Sequence, residues 1–107
     1  MKLWWKTGYY PMEKAVQEAQ NDSHVHLVDV RTREEYQAGH LPGSILLPLG
    51  DAYALEDDVP NKDDTVYVYC RSGSRSSMAC QQFEELGYTH VVNIGGILDW
   101  DGTLQRG

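Results

Sequence analysis

Nowhere in this sequence do apolar residues run for the ~18 positions that would mark a membrane span. The N-terminal stretch MKLWWKTGYYPMEK also lacks the continuous apolar segment and small-residue cleavage site of a secretory leader. The expected compartment is therefore the reducing cytoplasm. Cysteine is scarce: the chain has two, Cys70 and Cys80, too few for a disulfide framework or a zinc cluster. Basic residues are outnumbered, with 9 Lys and Arg against 16 Asp and Glu and a formal charge of −7. That deficit argues against a nucleic-acid or anionic-membrane partner, since both need clustered positive charge. It also means that any anion site must be built locally. Internal repeats, low-complexity tracts and linker-like stretches are missing as well. With 107 residues, 41% hydrophobic and 23% charged, the chain is expected to form one ordered domain over 1–107, its core from about 10 to 101.

What is present alternates between two periodicities. PMEKAVQEAQND (11–22) reads as a helix: Pro11 suits a first-turn position, and Met12, Ala15, Val16 and Ala19 share a stripe. HVHLVDV (24–30) is an apolar run of the kind buried in a parallel sheet. TREEYQAGHLPG (32–43) carries a short helix that starts at Thr32 or Arg33. Glu34 and Glu35 complement its dipole and Gly39 ends it. SILLPL (44–49) is a short strand interrupted by Pro48. The acidic DAYALEDDVPNKDD (51–64) has no EF-hand spacing and reads as a solvated face or loop. TVYVYC (65–70) is the clearest strand, β-branched and aromatic throughout. RSSMACQQFEELG (75–87) is a helix with Ala79, Phe83 and Leu86 on one face. THVVNI (89–94) is a strand, and GGILDWDG (95–102) a turn with a short helix. Strands alternating with helices predict an α/β fold around a mostly parallel sheet.

The chemistry concentrates where the clearest strand stops. In open α/β sheets ligands bind beyond the carboxyl ends of the strands, and Cys70 is the last residue of such a strand. RSGSR follows at once. Gly73 permits backbone angles that a side chain forbids. A curl of this kind can turn successive N–H groups inward as an anion nest, with the next helix adding its positive end. Helix N-termini and neighbouring cations lower a thiol from about 8.5 toward the thiolate range, and the thiolate is the nucleophile. Arg71 and Arg75 supply guanidinium groups able to grip an oxyanion. A cysteine alone at a strand end is more often a small buried hydrophobe; the attached loop turns the reading toward catalysis.

These residues resemble a family. LVDVRTREEYQAGHLPGSILLPL (27–49) followed by VYVYCRSGSRSSMACQQFEELGYTHVVNIGGILDW (66–100) is similar to a single-domain rhodanese, a sulfurtransferase. The blocks that carry the likeness are DVR with EEY, then GHLPGS, then CRSGSRS with GGILDW, in that order. The resemblance implies an α/β domain with a central, mostly parallel five-stranded sheet and helices on both sides. It implies Cys70 as the nucleophile that takes a sulfane sulfur as a persulfide. Arg71, Ser72, Gly73, Ser74 and Arg75 would form the cradle, with the two arginines binding an anionic donor such as thiosulfate. The acceptor would be cyanide or a thiol, and no metal or organic cofactor is implied. A sulfur-relay protein as partner is the alternative, with this domain acting as a persulfide carrier. Two loop arginines predict that doubly charged thiosulfate is a better donor than 3-mercaptopyruvate.

Cysteine-dependent phosphatases and arsenate reductases use a comparable strand–loop–helix, usually with five residues between Cys and Arg. Here four intervene between Cys70 and Arg75, a tighter cradle suited to one sulfur. Asp29 and Arg31, from the DVR block, are possible support at the same rim. They are expected to pair with each other, with Glu34 or with the loop. Cys80 reads as a packed side chain or, alternatively, a resolving thiol for Cys70. His40 reads as a hydrogen-bonded structural imidazole, and His24, His26 and His90 show no ligand spacing. Trp4, Trp5, Tyr9 and Tyr10 are expected to cap the core, and Trp100 to anchor it.

Overall fold

The computed structural model describes residues 9–107; Trp4 and Trp5 lie outside them. Helix α1 is Met12–Asn21 and leads into strand β1, Val25–Asp29. Helix α2, Arg33–Ala38, precedes β2, which is reduced to Ile45–Leu46. Pro48 then starts a 3-10 segment, Leu49–Ala54, that runs into α3, Leu55–Asp58. Strand β3 is Thr65–Cys70, α4 is Ser74–Glu85, and β4 is His90–Gly96. A 3-10 turn, Ile97–Asp99, follows.

All strand pairs are parallel, in the order β2-β1-β3-β4. Among the described residues the sheet therefore has four strands, not the five that the resemblance implies. The four coincide with the four β-rich runs of the sequence. The C-terminal tail adds one isolated bridge, His40 with Gln105, and no ladder. Strand β3 is flanked on both sides, so Cys70 ends an interior strand.

Alternation along the strands builds two cores. On one face Val28, Val66, Val68 and Cys70 meet Ala79, Cys80 and Phe83 of α4, with Leu55 and Val59 closing the layer. On the other, Leu27, Tyr67, Tyr69 and Ile94 meet Met12, Ala15 and Val16 of α1. Each fully buried aliphatic or aromatic side chain contributes about 1.5–3 kcal/mol, so helices on both faces are held by the same alternating strands. The acidic stretch is more ordered than a loop: Glu56, Asp57 and Asp58 are exposed, but Leu55 and Val59 are fully buried. Its last acid, Asp64, accepts hydrogen bonds from His24 and His26 at 3.1 and 2.9 Å.

One boundary differs from expectation, and the reason is local. Strand β4 continues through Gly95 and Gly96, where the sequence suggests a turn. A register shift after Val68 pairs Tyr69 with Gly95 and Cys70 with Gly96. A Cβ on Gly96 would lie 2.1 Å from the Arg71 carbonyl oxygen. The glycine thus lets the loop after Cys70 rest on the neighbouring strand. Bulges beside active sites commonly re-aim a strand end in this way.

Candidate active site

The loop wraps around sulfur. Gly73 donates its backbone N–H to Cys70 Sγ at 3.0 Å, and Ser76 Oγ lies 3.4 Å from the same atom. Gly73 is the N-cap residue of α4, at φ 112°, and no side chain caps that helix. The sulfur stands where a capping oxygen would. Burial pushes the Cys70 thiol up, but the Ser76 hydroxyl and the backbone N–H groups of Ser76, Gly73 and Ser72 outweigh it. The net shift is down, toward the thiolate. Directed donors, more than distant charge, set this balance.

Two residues that the sequence reading did not single out complete the cradle. Ser76 is fully buried, and its hydroxyl reaches Gly73 O at 2.9 Å and Asn93 Oδ1 at 2.8 Å. A hydroxyl has one proton to donate, so these two oxygens and the sulfur compete for it. Asn93 resolves the competition. Its Nδ2 donates to Gly73 O at 3.1 Å, and its Oδ1 accepts from Gly95 N–H at 2.9 Å. When the thiol ionises, the Ser76 proton can turn to sulfur and leave neither oxygen unpaired. The available signal for Asn93 was its polarity inside an apolar β-run just before two glycines; Ser76 carried no signal beyond its neighbours.

The arginines are not equivalent. Arg75 donates from Nη1 and Nη2 to the two oxygens of the Glu35 carboxylate, at 2.7 and 2.9 Å. Glu35 also belongs to a capping box with Thr32 at the start of α2. The Arg75 guanidinium, set against some desolvation and helped by Thr32, holds the Glu35 carboxyl down to about 2. Arg71 is exposed and its side chain has no ion pair among the described residues. Its backbone carbonyl accepts from Leu98 N–H at 3.3 Å.

Asp29 and Arg31 pair with each other rather than with Glu34. Both are buried, joined at 2.7 Å, and Arg31 also donates to the Gly39 carbonyl at 2.7 Å. The Arg31 guanidinium lies 5.7 Å from the centre of the buried Tyr69 ring. This cluster braces the α2 turn beside β3. His40 donates from Nδ1 to Tyr36 O at 2.8 Å and stacks on the Tyr36 ring, as expected of a structural imidazole. Of the N-terminal aromatics, Tyr10 stacks on Tyr67, 5.1 Å between centroids. Tyr9 packs on Gly73 and Gly95, against the cradle itself. Trp100 is half-buried against the α1-side core and donates to Thr103 O at 3.1 Å. Cys80 is buried in the α4-side core; both thiols are free. No group of three or more His, Cys, Asp or Glu is placed to hold a metal among the described residues, and no helix there is long and apolar enough to cross a membrane.

The chain is similar in sequence and fold to known proteins. The chain is 45% identical over 75 residues to the thiosulfate sulfurtransferase PspE of Escherichia coli, covering 69% of this chain and 72% of that protein. It is 35% identical over 95 residues to YrkF of Bacillus subtilis, whose name marks it as a candidate sulfur carrier protein. That match covers 88% of this chain, which spans about half, 51%, of YrkF's length. Among solved structures, a rhodanese with anions from E. coli superposes with a TM-score of 0.73 at 42% identity, over 77% of this chain and 98% of that one. The model of the rhodanese-like domain matches residues 12–103, which take in the sheet, the sulfur cradle and its Asn93 brace, and the chain belongs to that family.

Proposed function

We propose that this protein is a sulfurtransferase that carries a sulfane sulfur as a persulfide on Cys70. One observation carries the reading: the thiol is buried, yet backbone N–H groups and the Ser76 hydroxyl converge on its sulfur. With thiosulfate, the Cys70 thiolate attacks the outer sulfur. The donor's S–S bond breaks, sulfite leaves with the electron pair, and Cys70–S–S⁻ remains in the cradle. A thiol or cyanide then attacks the terminal sulfur, and the Cys70 thiolate leaves. A lowered thiol pKa serves both halves, since it raises the thiolate fraction and makes a better leaving group. Transfer needs no metal or organic cofactor, because the cysteine is the carrier.

The positions of the site residues support the following roles. Ser72, Gly73 and Ser76 hold the anionic sulfur, Ser74 starts α4, Arg71 faces incoming anions, and Asp29 with Arg31 braces the rim. A relay reading, in which a partner protein supplies the persulfide, is favoured by the likeness to the longer YrkF. Phosphate chemistry is disfavoured by the short loop and by an Arg75 already paired with Glu35. The test is intact mass after incubation with thiosulfate. Wild type is expected to gain the mass of one sulfur atom and Cys70→Ser none; an equal gain on both would overturn the assignment.

A further inference from the structure

The cations near the sulfur divide into spent and unspent. Arg31 is buried against Asp29. Arg75 is held in a two-pronged pair by Glu35. Arg71 alone of the three has no carboxylate partner among the described residues. Glu35 is itself fixed: Oε1 accepts from Thr32 N–H at 3.1 Å and from Thr32 Oγ at 3.2 Å, while Thr32 Oγ accepts from Glu35 N–H at 3.2 Å. The capping box of α2 therefore presents a carboxylate to the first turn of α4, beside the thiol. Counting these side chains, two pairs sum to zero, Arg71 contributes one positive charge, and the Cys70 thiolate cancels it.

A dianion entering such a site leaves it with a net double negative charge. A neutral hydropersulfide leaves it neutral, and an ionised one leaves it singly negative. We propose that Glu35 sets the donor class: by neutralising Arg75 it selects sulfane donors of low charge, alkyl or protein hydropersulfides, over dianions such as thiosulfate. The inference rests on Cys70 being the sulfur carrier, and it withdraws one of the two arginines on which the expected preference for thiosulfate over 3-mercaptopyruvate was based. The step balances without another reagent. Cys70–S⁻ attacks the terminal sulfur of R–S–SH, the donor's S–S bond breaks, R–S⁻ leaves with the pair, and Cys70–S–SH forms.

The test measures single-turnover sulfur loading of Cys70 by intact mass, with two donors compared. One is thiosulfate; the other is the hydropersulfide of N-acetylcysteine methyl ester, which has no other charged group. The proteins are wild type, Glu35→Gln and Glu34→Gln. Glutamine keeps an amide oxygen for the Thr32 N–H, so the capping box survives, while the charge is removed. Glu34 is exposed on the same turn and serves as the control. Glu35→Gln is expected to speed loading from thiosulfate on the order of tenfold and to leave hydropersulfide loading within about twofold. The gain is expected to shrink as salt rises, and Glu34→Gln to leave the donor ratio unchanged. A donor ratio that does not move in Glu35→Gln, or rates that change equally for both donors, overturns the role of Glu35 alone. If neither donor loads Cys70 in wild type, the sulfur-carrier reading falls and this inference falls with it.

Discussion

Cys70 and Cys80 sit ten positions apart, in one apolar cluster, 1% and 8% exposed. Burial alone would make them alike. It pushes the Cys80 thiol up to about 12, helped by Glu84 and Cys70. Desolvation raises Cys70 too, yet it shifts down, because Ser76 Oγ and the backbone N–H groups of Ser76, Gly73 and Ser72 hydrogen-bond its sulfur. The pair is an internal control for what makes a cysteine reactive. A low-dielectric site penalises an unpartnered charge and strengthens a partnered one. The distinction lies in aimed donors, supplied by a strand end, a left-handed glycine and an uncapped helix.

The strongest way to break the contrast is to move the loop. Gly73 sits at φ 112°, and a Cβ there would lie 2.4 Å from Tyr9 Oη. The tyrosine ring can shift, but the backbone angle remains strained for alanine, at about 1–3 kcal/mol. The N–H now 3.0 Å from sulfur would be turned away. Gly73→Ala is expected to lower kcat/KM for sulfur transfer about hundredfold, the usual scale for losing an anion-stabilising donor. Steady-state kinetics with thiosulfate and cyanide check this. Wild-type turnover in that variant would mean that the Gly73 amide is not what separates Cys70 from Cys80.

Ser76→Ala makes a finer cut. It removes the hydroxyl while Asn93 still satisfies Gly73 O and Gly95 N–H, so the loop keeps its brace. Losing one hydrogen bond to a charged group, about 1.5 kcal/mol, raises the Cys70 pKa by about one unit. The pH profile of Cys70 alkylation, read by peptide mass, should shift to higher pH by that amount. Cys80 should stay unreactive throughout. An unshifted profile would assign the lowered pKa to the backbone alone.

Much of this contrast was legible from residues, but not its partners. TVYVYC marks β3 to the residue, because β-branched and aromatic side chains fit a strand buried on both faces. A cysteine ending that strand before a glycine-bearing loop points to the cradle through local geometry. What escaped depends on neighbours remote in sequence. Glu35 meets Arg75 across forty positions because the sheet order places α2 next to the start of α4. Its local role, capping α2, was readable; its second role was not. Ser76 differs from Ser72, Ser74 and Ser77 only in where the helix turns it. The continuation of β4 through two glycines requires the register shift opposite Val68, which no periodicity announces.

The alkaline limb of stability sharpens the comparison with the smallest effect, and its two signs differ. Cys80 has a folded pKa raised to about 12 from its ordinary 9.0. The unfolded chain therefore loses this proton first as pH rises past 9, and folding becomes less favourable by about 1.4 kcal/mol per unit until about 12. Cys70 has a folded pKa below 9.0. Its proton leaves the folded state first, so between that pKa and 9 rising pH stabilises the fold, and the contribution disappears as pH falls through the folded pKa. Cys80→Ala should therefore lose less stability than wild type between pH 9 and 10 and match its slope below pH 8. Urea unfolding at fixed temperature measures both limbs, and the difference between variant and parent removes the tyrosines that also titrate there. Identical slopes between pH 9 and 10 would mean that Cys80 ionises like an exposed thiol, and burial would no longer explain why Cys70 and Cys80 diverge.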